Sequence, residues 1–304
     1  MSSSVLGAFT LDSIREALTG EGLGLEVASY RCRVRSDLGA ELAEPLLLLY
    51  QEYPASLGNK GFVDLDVCLK SRRAGWRRSE VEFSWDDQSP FPALPRDQVH
   101  PLFEWGLNWC ISTLAGTDIV THAAVLEKNG GALVLPGDPG SGKSTLCAEL
   151  CLSGWRLLSD ELTIISRTNG CVRPMPRPIS LKDASIGLIH SRFPGTPMTT
   201  PIGDTRKGTI AYVRPPAASV ERWADEVPVR HIIFPRYSPA ARLQPSPLSR
   251  AWMLSRLLDN TFNVGLLGKT GFELLARAIA NATGYGVEYG DLSEVAAWVD
   301  VTCN

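Results

Sequence analysis

Residues 132–144 have the sequence ALVLPGDPGSGKS, and this stretch decides the fold of the chain. Ala132–Leu135 is apolar at every position, which predicts a buried central strand. Gly137–Ser144 then satisfies the pattern G-x-x-x-x-G-K-[S/T] at every fixed position. An amphipathic run follows over Ser144–Leu152, and Gly154 closes it as a typical helix terminator. In a strand, glycine-rich loop and helix of this kind, backbone N–H groups surround a polyphosphate.

The glycine-rich loop therefore predicts a binding site for ATP with Mg²⁺. Lys143 is expected to reach the β- and γ-phosphates, while the Ser144 hydroxyl ligates the metal. A merely structural glycine turn would not need Lys and Ser directly after its last glycine. The residues expected to bind the nucleotide are Gly137, Asp138, Pro139, Gly140, Ser141, Gly142, Lys143, Ser144 and Thr145.

An acidic pair, Asp160 and Glu161, follows the strand-like run Trp155–Ser159. Asp160 comes 16 positions after Ser144, a gap that holds one helix and one turn. Near Mg-ATP the two carboxylates would divide the work, one accepting the proton of an attacking hydroxyl and the other holding the metal or its water. The candidate metal ligands are thus Ser144, Asp160 and Glu161, and a solvated strand end is the alternative. The guanine-binding NKxD and the transporter signature LSGGQ are absent from the sequence.

A histidine, His122, lies 15 positions before Gly137. It falls on a strand predicted over Thr121–Leu126, and Asn129-Gly130 is typical of a hairpin turn into the next strand. If the two strands pair across this turn, His122 lies close to the phosphate loop. A structural histidine is the alternative, and the spacing alone does not choose between them.

The remainder of the chain after residue 119 alternates strands with helices, as in an α/β layer. Further strands are predicted over Arg156–Ser159 and Leu162–Ile165, and further helices over Ala184–His190, Ser249–Asn260, Phe272–Ala280 and Leu292–Val299. The stretch Phe193–Gly208, with Arg206 and Lys207 near its end, has no periodicity. It predicts a long mobile loop, either a lid over an acceptor or a linker.

The first third of the chain predicts a β-rich segment, residues 1–98, ahead of a catalytic domain at 99–304. Strands are predicted over Leu25–Val34, Pro45–Tyr53, Phe62–Lys70 and Glu80–Trp85, and a helix over His100–Leu114. Asp64-Leu65-Asp66 matches a metal-binding DxD, but outward polar residues of a plain strand explain it as well.

Composition narrows the class of protein. The 304 residues are 44% hydrophobic and 21% charged, with 30 basic and 33 acidic residues and a net charge of −3, which excludes intrinsic disorder. This balance gives no basic field to attract nucleic acid. No apolar run approaches the ~18 residues that span a bilayer, and the start of the chain does not resemble a signal peptide. The seven cysteines have no CxxC spacing and indicate reduced thiols of a cytoplasmic protein; a homo-oligomer stays open.

Three features together resemble the catalytic domain of the HPr kinase/phosphorylase family. They are Thr121-His122-Ala123, the loop Gly137–Ser144, and Leu157-Leu158-Ser159-Asp160-Glu161. In that family the pattern is approximately a His on the strand before the loop, then GDSGVGKS, then LVADD. The resemblance covers roughly residues 115–190 and is greatest to the divergent HPr-kinase-related proteins of some bacterial gene clusters.

The resemblance implies an α/β chain (α+β overall) with a PEP-carboxykinase-like P-loop kinase core and a β-rich N-terminal segment. It implies phosphorylation of a serine, less often threonine, hydroxyl on a protein or peptide acceptor. By position, Lys143 and Ser144 would bind phosphate and Mg²⁺, and Asp160 would be the base toward the acceptor. His122 would support that base, and Glu161 stands where the family usually has a second Asp.

The chain also departs from the family's pattern. A later glycine-rich signature after Glu-Ile-Arg is missing, and the corresponding region is Arg177–Asp183. The β-rich first third does not resemble the family's usual N-terminal domain. Both departures argue against HPr itself as acceptor and against the reverse phosphorolysis. Arg177 and Lys182 either add positive charge near the phosphates or are ordinary surface charges.

Two other functions use the same loop. A small-molecule kinase would act on free serine or a metabolite hydroxyl. A non-catalytic module would use ATP to order the Phe193–Gly208 stretch for a protein partner. The acidic residues Asp160 and Glu161 beside the loop favour an enzyme over the module.

Overall fold

A computed structural model describes residues 4–58, 61–74, 78–86 and 88–303. The fold is a mixed α/β arrangement with several sheets. The strands are β1 (Ser4–Val5), β2 (Leu23–Val27), β3 (Tyr30–Ser36), β4 (Pro54–Leu57), β5 (Leu65–Ala74), β6 (Arg78–Trp85), β7 (Leu94–Pro95), β8 (Ile119–Lys128), β9 (Gly131–Pro136), β10 (Arg156–Ser159), β11 (Leu162–Ile165), β12 (Val172–Arg173), β13 (Ile179–Lys182), β14 (Ile202–Thr205), β15 (Gly208–Val213), β16 (Val229–Tyr237), β17 (Gln244–Pro247) and β18 (Thr283–Tyr289). The helices are α1 (Leu11–Thr19), α2 (Gly39–Tyr50), α3 (Val99–Leu114), α4 (Lys143–Leu152), α5 (Ala184–Arg192), α6 (Ala217–Glu221), α7 (Arg250–Asp259), α8 (Val264–Ala278) and α9 (Leu292–Thr302).

The chain forms two compact units. The first takes the residues up to Thr113 together with Gly195–Arg214, and the second takes Leu114–Pro194 together with the residues from Pro215 onward. These units differ from the division expected after residue 98 in two places. Almost all of α3 lies in the first unit. The segment Gly195–Arg214, from the later part of the chain, lies there as well.

The first unit is built on a sheet with the strand order β1-β4-β2-β3-β5-β6-β7. Its pairs are antiparallel except β3 with β5, which run parallel. Helix α1 packs against α2 and against β2, β3 and β4. Ile14, Leu42, Leu46, Val34 and Val67 of these helices and of the sheet are fully buried and belong to the core. The predicted strands over Phe62–Lys70 and Glu80–Trp85 are confirmed within β5 and β6. The single strand predicted over Leu25–Val34 is a hairpin of β2 and β3.

The strand predicted over Pro45–Tyr53 is wrong, because most of this stretch lies in helix α2. Leu42, Leu46 and Leu49 are all fully buried, and they recur at the three- and four-residue spacing of a helix face. Four consecutive leucines hide this period, since every register of the run is apolar. Pro45 sits inside the helix, where its missing N–H and ring normally disfavour helix.

The loop expected over Phe193–Gly208 is also wrong in part. Ile202–Thr205 forms β14, which pairs antiparallel with β15 inside the first unit. The Lys207 ammonium, at the turn between them, lies 5.2 Å from the centre of the Trp105 ring. A hairpin with these contacts is not an unstructured lid or linker.

The Asp64-Leu65-Asp66 segment behaves as the plain-strand alternative predicts. Asp66 pairs with Arg33 and with Arg35, whose Nη2 lies 3.1 Å from Oδ2. The Asp64 carboxylate accepts the Arg31 backbone N–H at 2.8 Å. Both carboxylates are therefore committed to strand neighbours.

The second unit contains an eight-stranded sheet in the described residues, ordered β12-β11-β8-β9-β16-β18-β17, with β10 also pairing β8. Strands β9, β16 and β18 run parallel, whereas β8 pairs antiparallel with β9, β10 and β11. The predicted strands at Thr121–Leu126, Ala132–Leu135, Arg156–Ser159 and Leu162–Ile165 are confirmed. The hairpin turn is confirmed as well, with positive φ angles of 51° at Asn129 and 75° at Gly130.

Helices cover both faces of this sheet. Met253 and Leu257 of α7 and Leu274 of α8 form one buried cluster with Val125 and Val134. Because strand side chains alternate, the intervening residues face the other side of the sheet, and α4 contacts the same strands β8 and β9 there. The helices predicted over Ser144–Leu152, Ala184–His190, Ser249–Asn260, Phe272–Ala280 and Leu292–Val299 are all confirmed to within a few residues at one end or both.

The C-terminus of α4 is fixed by its glycine, as predicted. Gly154 has φ 106°. Its N–H donates to Cys151 O at 3.2 Å, and the Trp155 N–H donates to Leu150 O at 3.0 Å. This pair of bonds is the Schellman motif, which satisfies the last carbonyls of a helix.

All seven cysteines lie in the described residues and are free thiols. Among the described residues, none of the helices combines the length and the apolar character needed to cross a membrane.

Candidate functional site

The glycine-rich loop lies between the end of β9 at Pro136 and the start of α4 at Lys143. Gly140 and Gly142 have φ angles of 86° and 91°, in the left-handed region that favours glycine. No side chain caps the N-terminus of α4. Gly137–Gly142 form the loop, and Lys143, Ser144 and Thr145 form the first helical turn. The N–H groups of this turn are therefore available to an anion.

Two tyrosines brace the loop from the ends of neighbouring parallel strands. The Tyr237 N–H, at the end of β16, donates to Ser141 O at 3.0 Å. The Tyr289 hydroxyl, at the end of β18, donates to Gly142 O at 3.4 Å. Burial raises the pKa of Tyr289, so this hydroxyl keeps its proton. The loop conformation is thus held by the sheet and not only by its own glycines.

We expect Gly142→Ala to damage both the fold and the site. A Cβ at Gly142 would collide with the Tyr289 hydroxyl, and its φ of 91° is strained for any L side chain. Strain of this kind costs about 1–3 kcal/mol, before the collision is added. Urea unfolding measures the loss. Gly265→Ala is the matched control, because a Cβ there meets open space. Equal stability of the Gly142 variant and wild type would contradict this account of the loop.

The Lys143 side chain is buried, with 8% of the residue exposed. Its Nζ lies 2.8 Å from His122 Nε2. A charged Lys143 can only donate, so in that state His122 accepts through Nε2. Burial lowers the pKa of Lys143, while the nearby Asp160 and Glu161 carboxylates oppose that shift. The structure therefore joins the loop lysine, the histidine and the acidic pair in one cluster.

The register of β8 explains why His122 meets Lys143. His122 lies opposite Leu162 of β11, and its neighbour Ala123 lies opposite Pro136, where β9 enters the loop. Past the end of β9, the segment that follows α7 lies alongside β8. There the backbone N–H of His122 donates to the backbone carbonyl of Asn260 at 2.8 Å. The prediction that the hairpin brings His122 close to the glycine-rich loop is confirmed.

The acidic pair forms the bend between β10 and β11. Both of these strands pair with β8. Ser159 lies opposite Val125 and Leu162 opposite His122, so Asp160 and Glu161 fall at the same level of β8 as the loop entrance. The Asp160 residue is 2% exposed. Strand β10, which directly precedes Asp160, is the first element after α4, in agreement with the one helix and one turn expected between Ser144 and Asp160.

One oxygen of the Asp160 carboxylate is satisfied and the other is not. Oδ2 accepts the Ser180 N–H at 3.0 Å. Oδ1 is buried and makes no hydrogen bond with the described residues. The Ser144 side chain is close enough to this carboxylate to favour its charged form. An unsatisfied buried carboxylate oxygen is costly, and it is the kind of atom that a metal or a substrate hydroxyl would satisfy.

Burial raises the pKa of Asp160 to about 6. The Lys143 charge opposes this rise, and the Glu161 charge adds to it. A carboxyl with a pKa near 6 is ionised at neutral pH and is still basic enough to take a proton. Perturbed groups of this kind gather at catalytic sites.

The remaining charged candidates, Glu161, Lys182 and Arg177, differ in their exposure to solvent. Glu161 is partly exposed and acts electrostatically on both Lys143 and Asp160. Lys182 is partly exposed and its charge also acts on Lys143, so its placement agrees with positive charge near the site. Arg177 is buried, which excludes the surface-charge alternative for it.

The described residues contain no group of three or more His, Cys, Asp or Glu side chains arranged to hold a metal. Mg²⁺ bound with a nucleotide does not require one, because it usually keeps phosphate and water ligands beside one or two protein ligands. Asp160 and Glu161 are the two carboxylates that could serve in this way, and Ser144 adds a hydroxyl beside them.

Sequence reasoning missed several contributors to the site. Ser180 holds Asp160 through its backbone, and Asn260 holds His122 through its carbonyl; backbone contacts of this kind leave no mark in a sequence. Tyr237 and Tyr289 did have a signal, since each ends an extended run whose carboxyl end is expected at the ligand-binding edge of a parallel sheet.

Comparisons with known proteins add little to this geometry. No protein-family model matches the chain, and no curated protein matches it. Among solved structures, the HPr(Ser) kinase/phosphatase from Coxiella burnetii is similar over 60% of this chain and 88% of its own, with 11% sequence identity and a TM-score of 0.25. This is a distant structural likeness, so the functional argument rests on the residues described above.

Proposed function

We propose that the chain is an ATP-dependent kinase that phosphorylates a serine or threonine hydroxyl of a protein or peptide. The observation that carries the proposal is the Asp160 carboxylate, buried with Oδ1 unsatisfied, beside Lys143 at the mouth of an uncapped glycine-rich loop. The sequence resemblance to the HPr kinase/phosphorylase family supports the same reaction class. The proposed core is correspondingly a P-loop kinase core of the PEP-carboxykinase-like type.

The residues present fit Mg-ATP. Two glycines with positive φ open the loop, and the first turn of α4 has no capping side chain. Lys143 and Ser144 follow the last glycine, in the order that phosphate and Mg²⁺ require. When bound, Mg-ATP would supply the transferable phosphoryl group and a divalent charge that neutralises the phosphates.

The chain's own residues have distinct tasks in this proposal. Asp160 Oδ1 accepts the proton of the acceptor hydroxyl as that oxygen bonds to the terminal phosphorus and ADP leaves. Lys143 contributes positive charge where negative charge develops. His122 holds the Lys143 ammonium through Nε2 and thereby sets its position. Ser144 and Glu161 complete the polar surroundings of the metal.

The proposed base gives a pH dependence whose sign is fixed. Asp160 must be ionised to accept a proton, and its pKa is raised to about 6. We therefore expect kcat/KM for phosphoryl transfer to be constant above pH 7 and to fall tenfold per unit below pH 6. Initial rates between pH 5 and 8.5, in buffers of constant ionic strength, measure this. A profile that stays flat down to pH 5 would exclude Asp160 as the base.

The direct test uses purified chain, Mg²⁺ and ATP labelled on its γ-phosphate. Three reactions run in parallel, with a lysate of the native host, with free serine and threonine, and with buffer alone. Phosphoserine or phosphothreonine in lysate proteins, identified by mass spectrometry, is the expected result. Label found only in free amino acids would replace the proposal with a small-molecule kinase. ATP binding without any transfer would favour the non-catalytic module and contradict the proposal.

A further inference from the structure

The glycine-rich loop has two sides, and only one carries the phosphoryl-transfer cluster. On the β8 side lie His122, Lys143 and Asp160. On the other side β9 pairs parallel with β16, which pairs parallel with β18. The carboxyl ends of parallel strands meet at one edge of a sheet, so the ends of β16 and β18 lie beside the loop. A nucleotide whose terminal phosphate lay at Asp160 would have this second side available for its nucleoside end.

The residue at the end of β16 is Tyr237, whose side chain faces solvent. The residue is 49% exposed, although it is a large aromatic group directly beside the loop. Its N–H donates to Ser141 O at 3.0 Å, and its Cβ would lie 3.1 Å from a Cβ built on Gly142. The ring is therefore close to the phosphate cradle without being part of the core.

A second tyrosine, Tyr289, contacts that ring. The Tyr289 ring centre lies 5.7 Å from that of Tyr237, at an interplanar angle of 59°. Tyr289 is buried, and its hydroxyl donates to Gly142 O. Tyr237 is thus in tilted contact with one buried ring and is otherwise about half exposed, so an open part of its surface is available for a flat ligand to stack on.

Other exposed aromatic residues of this unit are placed differently. Trp252 packs edge-on against Phe234, with ring centres 4.9 Å apart, and has Arg256 over its ring. Phe262 lies beside His122, at 6.0 Å between ring centres, and so on the phosphoryl-transfer side. Tyr237 combines exposure with a direct bond to the loop on the side away from Asp160.

We propose that Tyr237 is the residue on which the base of the bound nucleoside triphosphate stacks. The inference rests on the proposed function, since it takes Lys143 and Asp160 as the terminal-phosphate end of the site. Stacking on one aromatic ring accepts any purine, because every base has a π-face. The subsite therefore gives affinity for the nucleoside part and little choice between adenine and guanine.

The test compares Tyr237→Ala with wild type by titration calorimetry, using ATP, GTP and inorganic tripolyphosphate with Mg²⁺. Loss of one base–aromatic stack corresponds to about tenfold weaker binding or more. We expect this loss for ATP and GTP, with tripolyphosphate unchanged within about twofold, since the phosphate ligands stay in place. Tyr237→Phe should bind ATP like wild type, because stacking does not use the hydroxyl. Trp223→Ala, a similarly exposed aromatic residue away from the loop, is the control.

The outcomes separate this inference from the proposed function. If Tyr237→Ala weakens ATP and tripolyphosphate equally, the tyrosine only braces the loop and the inference is wrong. If the variant binds ATP like wild type, the inference is wrong while the kinase proposal stands. If the wild-type chain binds neither ATP nor tripolyphosphate, both fail.

Discussion

Asp160→Asn is expected to lower the rate of phosphoryl transfer by about 10²–10⁴-fold, the usual contribution of a positioned general base. Asparagine keeps the size of the side chain and an oxygen that can accept the Ser180 N–H, as Oδ2 does at 3.0 Å. It cannot take a proton from the acceptor. Lys143, Ser144 and the loop N–H groups are untouched, and the asparagine keeps one side-chain oxygen, so the Kd of Mg-ATP should change much less than the rate. Single-turnover kinetics with labelled ATP, together with calorimetry, separate the two effects.

The thermal stability of Asp160→Asn shows whether a loss of activity could come from misfolding. The raised pKa of about 6 means that native Asp160 holds its proton more tightly than the unfolded chain does. Its contribution to stability is therefore full at low pH and is lost as pH rises through 6. Asp160→Asn removes that loss, so its thermal midpoint at pH 8 should not fall below that of wild type. Asp259→Asn, an exposed carboxylate on α7, is the matched control. A wild-type rate of phosphoryl transfer in Asp160→Asn would contradict the assignment of Asp160 as the general base.

Local patterns were sufficient to predict most of the local geometry of the candidate site. The loop signature, the Asn129-Gly130 turn and the short strands around the acidic pair each specify structure within a few residues. Once β8 and β9 pair across that turn, His122 is brought beside the loop without further information. Such short-range geometry depends on hydrogen-bond register and turn chemistry, which the sequence displays directly.

Other parts could not be predicted because they depend on distant contacts. The segment after α7 reaches β8 through the Asn260 carbonyl, across more than a hundred residues of chain. Ser180 supports Asp160 with a backbone N–H, which every residue but proline possesses. The strand predicted over Pro45–Tyr53 is wrong since its leucine run fits strand and helix alike. The raised pKa of Asp160 follows from complete burial, a property of the assembled unit.

Lys143→Met is expected to lower phosphoryl transfer on the order of 10²–10³-fold, as removal of one preorganised charge-stabilising donor does. Methionine fills most of the buried space of the lysine stem, so the packing of α4 against the sheet should survive. The loss has two physical parts. The phosphates lose a cation, and Asp160 loses the positive charge that opposes the rise of its pKa. The second part gives the prediction a signature beyond lost activity.

That signature is the pH profile of the residual reaction. Without the Lys143 charge, Glu161 and burial both still raise the pKa of Asp160, so the acid limb should move above pH 6. A variant that is slower but keeps the wild-type pH midpoint would mean that Lys143 and Asp160 do not act on one another. Lys269→Met, on the exposed face of α8, controls for loss of a lysine as such. An upward shift of the limb would tie the loop cation and the carboxylate to one reaction centre, because only a charge close to Asp160 in a buried setting moves its proton equilibrium this far.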